Sequence, residues 1–379
     1  MDLRESISNN LRNIPGWFTN RKIIVFESDD WGSVRMPSKE TFTRLKNLGM
    51  DLESMDYLRY NLYDTLADQT DLEYLFEILS SVKDKHERNC VFTALSVVAN
   101  PDFKKIKENN FRKYYYEPFT DTLSRYYGNS GVFHLWEEGI KNRIFIPQFH
   151  GREHLNVSSW MTALRNNHKN TVLGFNEGFW GFPPDPDDPE FVENQAAFLI
   201  SDVSDLQEHQ KIIAEGLDLF ENIFGYRATY FVPPNGPINN SLNKILIDKG
   251  VKFRSTSKIQ IESIGPGQNR KAWHWLGQKD TYGIRYITRN CFFEPSGHPE
   301  TDWIDTCLRD ISNAFRWKKP AIISSHRVNY IGSLDQKNRD SGLKKLKILL
   351  NSIISKWPDA EFLTTPQLGN FIAGEPPAK

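Results

Sequence analysis

The sequence predicts an α/β protein whose parallel sheet closes into a barrel, and three observations lead there. Short apolar, β-branched runs bounded by Gly, Pro or polar residues recur along the chain. Stretches of helical periodicity lie between them. Seven or eight such runs are enough to go round a barrel. At 379 residues the chain can bury a core of that size and still carry insertions. Alternation of strand and helix is what a parallel sheet requires, because each crossover between parallel neighbours takes a long connection, usually helical.

In chain order, strands are expected at 22–28, 90–99, 143–149, 228–232, 252–254, 284–288, 320–325 and 361–364. Helical periodicity marks 72–82, 132–139, 158–166, 204–224, 241–249, 303–316 and 343–356. Three stretches interrupt the alternation. The segment near 51–88 is partly helical, and 100–131 is aromatic and basic, with Tyr114-Tyr115-Tyr116. The third, 171–204, contains Gly178-Phe179-Trp180-Gly181-Phe182-Pro183-Pro184-Asp185-Pro186, which suits neither a helix nor a central strand. All three read as insertions into βα connections that wall a cleft or form a subunit contact. No internal repeat or low-complexity linker divides the chain, so 1–379 reads as one barrel domain with these insertions.

Lys+Arg 47 against Asp+Glu 48 leaves a formal charge of −1, which lacks the basic footprint of a nucleic-acid binder. Cys90, Cys291 and Cys307 are far apart with no C-x-x-C, so they read as ordinary thiols. Met1-Asp2-Leu3-Arg4-Glu5-Ser6 lacks the basic start and apolar stretch of a signal peptide, and no window reaches transmembrane length. The expectation is a cytoplasmic protein with no membrane partner.

The chemistry is concentrated at strand ends. The first run closes in Glu27-Ser28-Asp29-Asp30-Trp31-Gly32, and the third in His150-Gly151-Arg152-Glu153-His154. Two neutral imidazoles and a carboxylate hold a borderline divalent ion while leaving room for water and substrate. If residues after Phe149 begin a helical turn, His150 and His154 at i, i+4 point the same way. Asp30 or Asp29 then supplies the carboxylate from across the barrel mouth. Either motif alone is weak: nine histidines give about 0.2 such pairs by chance. Their joint placement at strand ends is the signal. A two-histidine, one-carboxylate set also occurs in non-haem iron oxygenases, but a second adjacent aspartate does not suit that use.

With Pro233-Pro234-Asn235-Gly236 and Ile322-Ile323-Ser324-Ser325-His326 added, the order of motifs resembles the NodB-type polysaccharide deacetylases. That resemblance covers most of the chain outside the insertions. It implies a distorted (β/α)7 TIM-like barrel and a metal-dependent hydrolase of N- or O-acetyl groups on sugars. By the resemblance, Asp30, His150 and His154 are the metal ligands, Asp29 the catalytic base and His326 the general acid, donating from the opposite wall. The Asn235 backbone N–H would help bind the oxyanion, and Trp31, Pro234 and Gly236 would line the substrate groove. The implied cofactor is one divalent ion, zinc first, with cobalt, nickel, manganese or iron as alternatives. The implied partner is a carbohydrate or small acylated molecule, with self-association open.

One position departs from the family pattern. The arginine that precedes the Pro-Pro pair and contacts the catalytic aspartate is here Val232. Arg289 and Arg254 are the candidates to replace it in space. This departure also keeps open an amide hydrolase of a non-sugar small molecule on the same fold, or a non-catalytic glycan-binding barrel.

Overall fold

In a computed structural model, residues 13, 15–128, 131–184, 193–298 and 300–375 are described. The N-terminal hexapeptide and residues 185–192 of the third insertion lie outside them. Thirteen strands occur among the described residues: β1 (Ile23–Trp31), β2 (Phe92–Ser96), β3 (Ala99–Pro101), β4 (Tyr116–Pro118), β5 (Phe145–Phe149), β6 (Tyr230–Phe231), β7 (Phe253–Ser255), β8 (Ile259–Gly265), β9 (Gln268–Trp273), β10 (Arg285–Ile287), β11 (Cys291–Phe292), β12 (Ala321–His326) and β13 (Glu361–Phe362). The main sheet runs β10-β7-β6-β5-β2-β1-β12-β11, with β13 paired to the start of β1. Its pairings are all parallel.

The two ends of that order explain the distortion. β10 and β11 sit at opposite ends of the path, yet Thr288, Arg289 and Asn290 are all that separates them in the chain. One broken strand therefore pairs with β7 through its first half and with β12 through its second. The backbone itself crosses the seam, and counting β10–β11 once leaves seven staves. Asn290 stitches the gap: its side chain donates to Pro320 O at 3.0 Å and accepts from Ile322 N at 2.8 Å.

Alternation along the strands sorts side chains inside and out. Ile23, Val25, Leu95, Tyr230, Phe253, Ile287 and Ile322 form one cluster within the barrel, completed by Leu368 and Ile372 of helix Thr365–Ala373. Ile24, Phe26, Phe92, Ala94 and Ile323 face outward against helices Gln69–Ser80, Val132–Lys141, Trp303–Arg316 and Gln336–Lys356. A third cluster centres on Trp160, Phe149 and helix Asp205–Phe224.

Helix Trp303–Arg316 has the predicted bounds, while Gln336–Lys356 starts seven residues before the predicted 343. Residues 228–232 yield only the two-residue β6, and 90–99 splits into β2 and β3 around Val97-Val98. The antiparallel hairpin β8–β9 was not expected. Within the first insertion lie helices Met55–Tyr63 and Gln69–Ser80, and within the second the β3–β4 ladder. Among the described residues, no helix is long and apolar enough to cross a membrane.

Candidate active site

The site depends on an irregularity at the end of β1. In a regular strand Asp29 and Asp30 would point to opposite faces. Here the β1–β2 register shifts between Ser28 and Trp31, and Asp30 takes φ +75°, a left-handed backbone that costs energy for a non-glycine residue. The bulge brings both carboxylates to the wall of one cavity of 1890 Å³ at the strand ends. Each residue is 5% exposed, and each meets different partners.

Asp30 meets imidazoles. Its Oδ1 is 3.3 Å from His150 Nε2 and 3.4 Å from His154 Nε2, with all three residues buried. A tetrahedral ion with bonds of about 2.0–2.1 Å places its ligands roughly 3.3–3.4 Å apart, so the donor set fits a metal as it stands. This buried Asp/His/His group could hold an ion. Burial pushes the Asp30 carboxyl up, but the His150 hydrogen bond and the neighbouring histidines bring it well below its ordinary value. Burial drives His154 down to about 3, against the pull of Asp30. The ring is therefore neutral at physiological pH, as a ligand must be.

The histidines do not converge through a helical turn. Residues 150–156 are irregular, Gly151 has φ +107°, and helix Val157–Arg165 starts only afterwards. The loop is pinned instead by its backbone and by Arg152. Arg152 O accepts from Val98 N at 3.0 Å and Ala99 N at 2.7 Å, and its guanidinium forks onto Glu153 over the Tyr116 ring. His150 Nδ1 lies 2.8 Å from Val232 O, an orientation that leaves Nε2 free toward Asp30. His154 stacks on Trp180, ring centroids 6.0 Å apart, and its Nδ1 has no hydrogen-bond partner among the described residues.

Asp29 meets a guanidinium. Arg289 Nη1 donates to its Oδ2 and Nη2 to its Oδ1, both at 2.6 Å, while Nε donates to the buried Glu27. Burial raises the Asp29 carboxyl, and Arg289 outweighs it, so the group sits below its ordinary value. Arg289 thus lies at the barrel seam and makes a contact to Asp29 that the Val232 side chain cannot make. Arg254 does not: it is buried among Asn243, Asn240 and Gln260 and is not on the cavity wall.

His326 stands beside Asp29 rather than opposite it. β12 is the neighbour of β1, Asp29 and His326 are register partners, and Nε2 lies 3.9 Å from Asp29 Oδ2. Its Nδ1 is 2.6 Å from Glu294 Oε1. Burial would lower the imidazole, but Glu294 overcomes it and raises the ring above its ordinary value. Glu294 itself is brought to about 2: burial raises it, and His326 and Arg59 outweigh that.

The Pro233–Gly236 turn closes with Gly236 N to Pro233 O at 3.1 Å and puts Asn235 at φ +53°. Asn235 and Gly236 are exposed on the cavity wall, and the Asn235 N–H has no backbone acceptor among the described residues. Pro234 is buried against Gly151, so it packs the turn onto the histidine loop instead of lining the groove. Trp31 is likewise not in the groove. At 1% exposure it packs edge-on to Trp136 and Phe145 and donates to Ser28 Oγ at 3.0 Å, because the bulge sends the next side chain back to the core.

No family model and no curated protein sequence matches the chain. The chain is similar in structure to polysaccharide deacetylases. A probable polysaccharide deacetylase from Pseudomonas aeruginosa PAO1 aligns over 95% of this chain and 94% of its own, at 8% identity and a TM-score of 0.48. PuuE allantoinase aligns over 96% and 94%, at 8% and 0.48. The peptidoglycan deacetylase PdaC from Bacillus subtilis aligns over 94% and 93%, at 12% and 0.35.

Glu294 carries no recognisable motif in Phe293-Glu294-Pro295-Ser296-Gly297, so sequence reasoning passed over it. Arg59, which pairs with Glu294 at 2.7 Å, and Tyr60, 5.7 Å edge-on from His326, come from the first insertion. From the sequence that insertion reads as a cleft wall or a subunit contact, not as a source of these residues. Its amphipathic Tyr57-x-x-Tyr60 spacing was the available hint.

Proposed function

We propose that the protein is a metal-dependent hydrolase that removes an acetyl group from an N- or O-acetylated sugar or glycan. The observation that carries this reading is an ionised carboxylate, Asp29, and an imidazole biased toward its protonated form, His326, 3.9 Å apart beside the Asp30–His150–His154 group. Two imidazoles and a carboxylate suit zinc first, with cobalt, nickel, manganese and iron able to use the same donors. An ion held there supplies Lewis acidity toward the acyl oxygen and acidifies a water. Asp29 takes the proton of the attacking water, and the Arg289 fork fixes the plane of its carboxylate. His326 gives its proton to the departing amine or alkoxide, and Glu294 keeps that proton in place and orients the ring. The Asn235 N–H, with no backbone acceptor among the described residues, is available to the acyl oxygen as its charge grows.

A cavity of 1890 Å³ is larger than the roughly 300–1,000 Å³ of ordinary small-molecule pockets, and Trp273 at the end of β9 and Trp275 just beyond it stand exposed on its wall. Both features favour a sugar ligand over a compact amide. Arg289 also removes the ground on which Val232 favoured a non-sugar amide hydrolase.

Zinc-loaded protein is expected to release acetate from N-acetylglucosamine oligomers or O-acetylated glycans. Asp29→Asn should cut the rate roughly 10²–10⁴-fold while the metal stays bound. Undiminished turnover in that variant sinks the assigned base. Hydrolysis of ureides or formyl amides with no acetate release moves the protein to the non-sugar class.

A further inference from the structure

Arg35 lies in the turn that leaves β1, five residues beyond Asp30, and is 4% exposed. It is one of five arginines buried among the described residues. Arg152, Arg327 and Arg339 each meet a carboxylate, and Arg254 meets three amide oxygens. Arg35 fits neither pattern. Among the described residues only its Nη2 has an acceptor, Gln195 Oε1, and its Nε is buried without one, 3.0 Å from where a Cβ on Gly181 would sit. It forms no ion pair among the described residues.

Arg35 is near enough to Asp64 to lower that carboxyl, but the direct ion pair of Asp64 is with Arg327. A buried cation with no carboxylate in contact is costly. Two ring faces offset part of that cost, Tyr60 at 4.7 Å and Trp180 at 5.7 Å from the guanidinium carbon. The same rings fix its address. Trp180 stacks on His154, and Tyr60 meets His326 edge-on, so Arg35 sits on the cavity wall between the metal-binding group and the proton donor. A guanidinium with unused N–H groups, held rigid at a cavity wall, matches the planar oxygens of a carboxylate or the oxygens of a phosphate ester. From this unpaired, cavity-lining guanidinium we infer that Arg35 receives an anionic oxygen group of the substrate, so that the protein selects an acidic acylated sugar over a neutral one. The inference rests on the cavity being the sugar site proposed above.

Calorimetric titration of the zinc-loaded full chain with D-glucuronic acid, D-glucose 6-phosphate and D-glucose tests it. At least one acidic sugar should bind tenfold or more tightly than glucose, and the arm that does so distinguishes carboxylate from phosphate. In Arg35→Gln that preference should fall at least tenfold, with zinc content and glucose affinity unchanged. Metal-free wild-type protein should keep the preference, which needs no variant to fold. Equal affinity for the three sugars overturns the inference, as does a preference retained by Arg35→Gln or abolished by removing zinc. Binding here is read without turnover, so a failure to release acetate and a failure of anion selection remain separate results.

Discussion

Asp29 and Asp30 are neighbours in the chain, equally buried, and electrostatically opposite. Asp30 faces two imidazoles, of which burial keeps the His154 ring neutral, and the three residues together could hold an ion. Asp29 is already paired, through a fork from Arg289 that also holds Glu27. One side of the cavity offers donors that could hold a cation, and the other is built around a permanent one. Two like acids at one strand end thus acquire different chemistry from what the neighbouring loops place around them, and variants that erase either difference test this.

The largest effect is expected on the Asp30 side. Asp30→Ala removes one of three donors, so metal content measured on purified protein should fall to background, and acetate release with it. The wild type should also gain thermal stability on adding zinc, worth about 4 kcal/mol at a thousandfold excess over Kd, and the variant should gain none. Stoichiometric zinc in Asp30→Ala would remove this carboxylate from the ligand set.

Arg289→Met breaks the other side. It strands Glu27 and Asp29 without their cation, a loss of about 3–5 kcal/mol for a buried pair broken on one side, read by denaturant unfolding. Arg289 holds the Asp29 carboxyl below its ordinary value, so its removal raises that group. The proposed base must be ionised to act, so the acidic limb of the rate profile should move to higher pH. An acidic limb that stays in place would assign it to another group.

The sequence made one half of this comparison more legible than the other. Asp29, Asp30, His150, His154 and His326 end apolar runs, and the strands they close were placed within a few residues. Arg289 could be named only as one of two candidates, because which arginine reaches Asp29 depends on the β10–β11 seam, a tertiary feature. Trp31 was misplaced because the bulge is a backbone event, invisible in a side-chain pattern that a regular strand would have turned toward the cleft. The β8–β9 hairpin was missed because β9, Gln268–Trp273, is mostly polar and exposed, although Gly265-Pro266-Gly267 is a turn signal.

The smallest effect is expected where the two halves meet, at Glu294. Glu294→Gln keeps the shape of the contact to His326 Nδ1 but deletes the charge that outweighs burial and raises the imidazole. Losing an opposite charge in contact with the ring disfavours its protonated form, so the basic limb of the rate profile should move down. Below the shifted limb kcat should change little, since Asp29, Arg289 and the Asp30–His150–His154 group are untouched. The stability profile carries the same signature with its own signs. In the wild type, Glu294 is depressed from 4.5 to about 2, so its contribution is full above pH 4.5 and lost as pH falls through 2. His326 is raised from 6.5, so its contribution is full below pH 6.5 and lost as pH rises through its folded value. Glu294→Gln should flatten both slopes in pH-dependent unfolding. A basic limb that does not move would assign the proton donor to a group other than His326, and would leave Glu294 as a structural partner of Arg59 and Asn329.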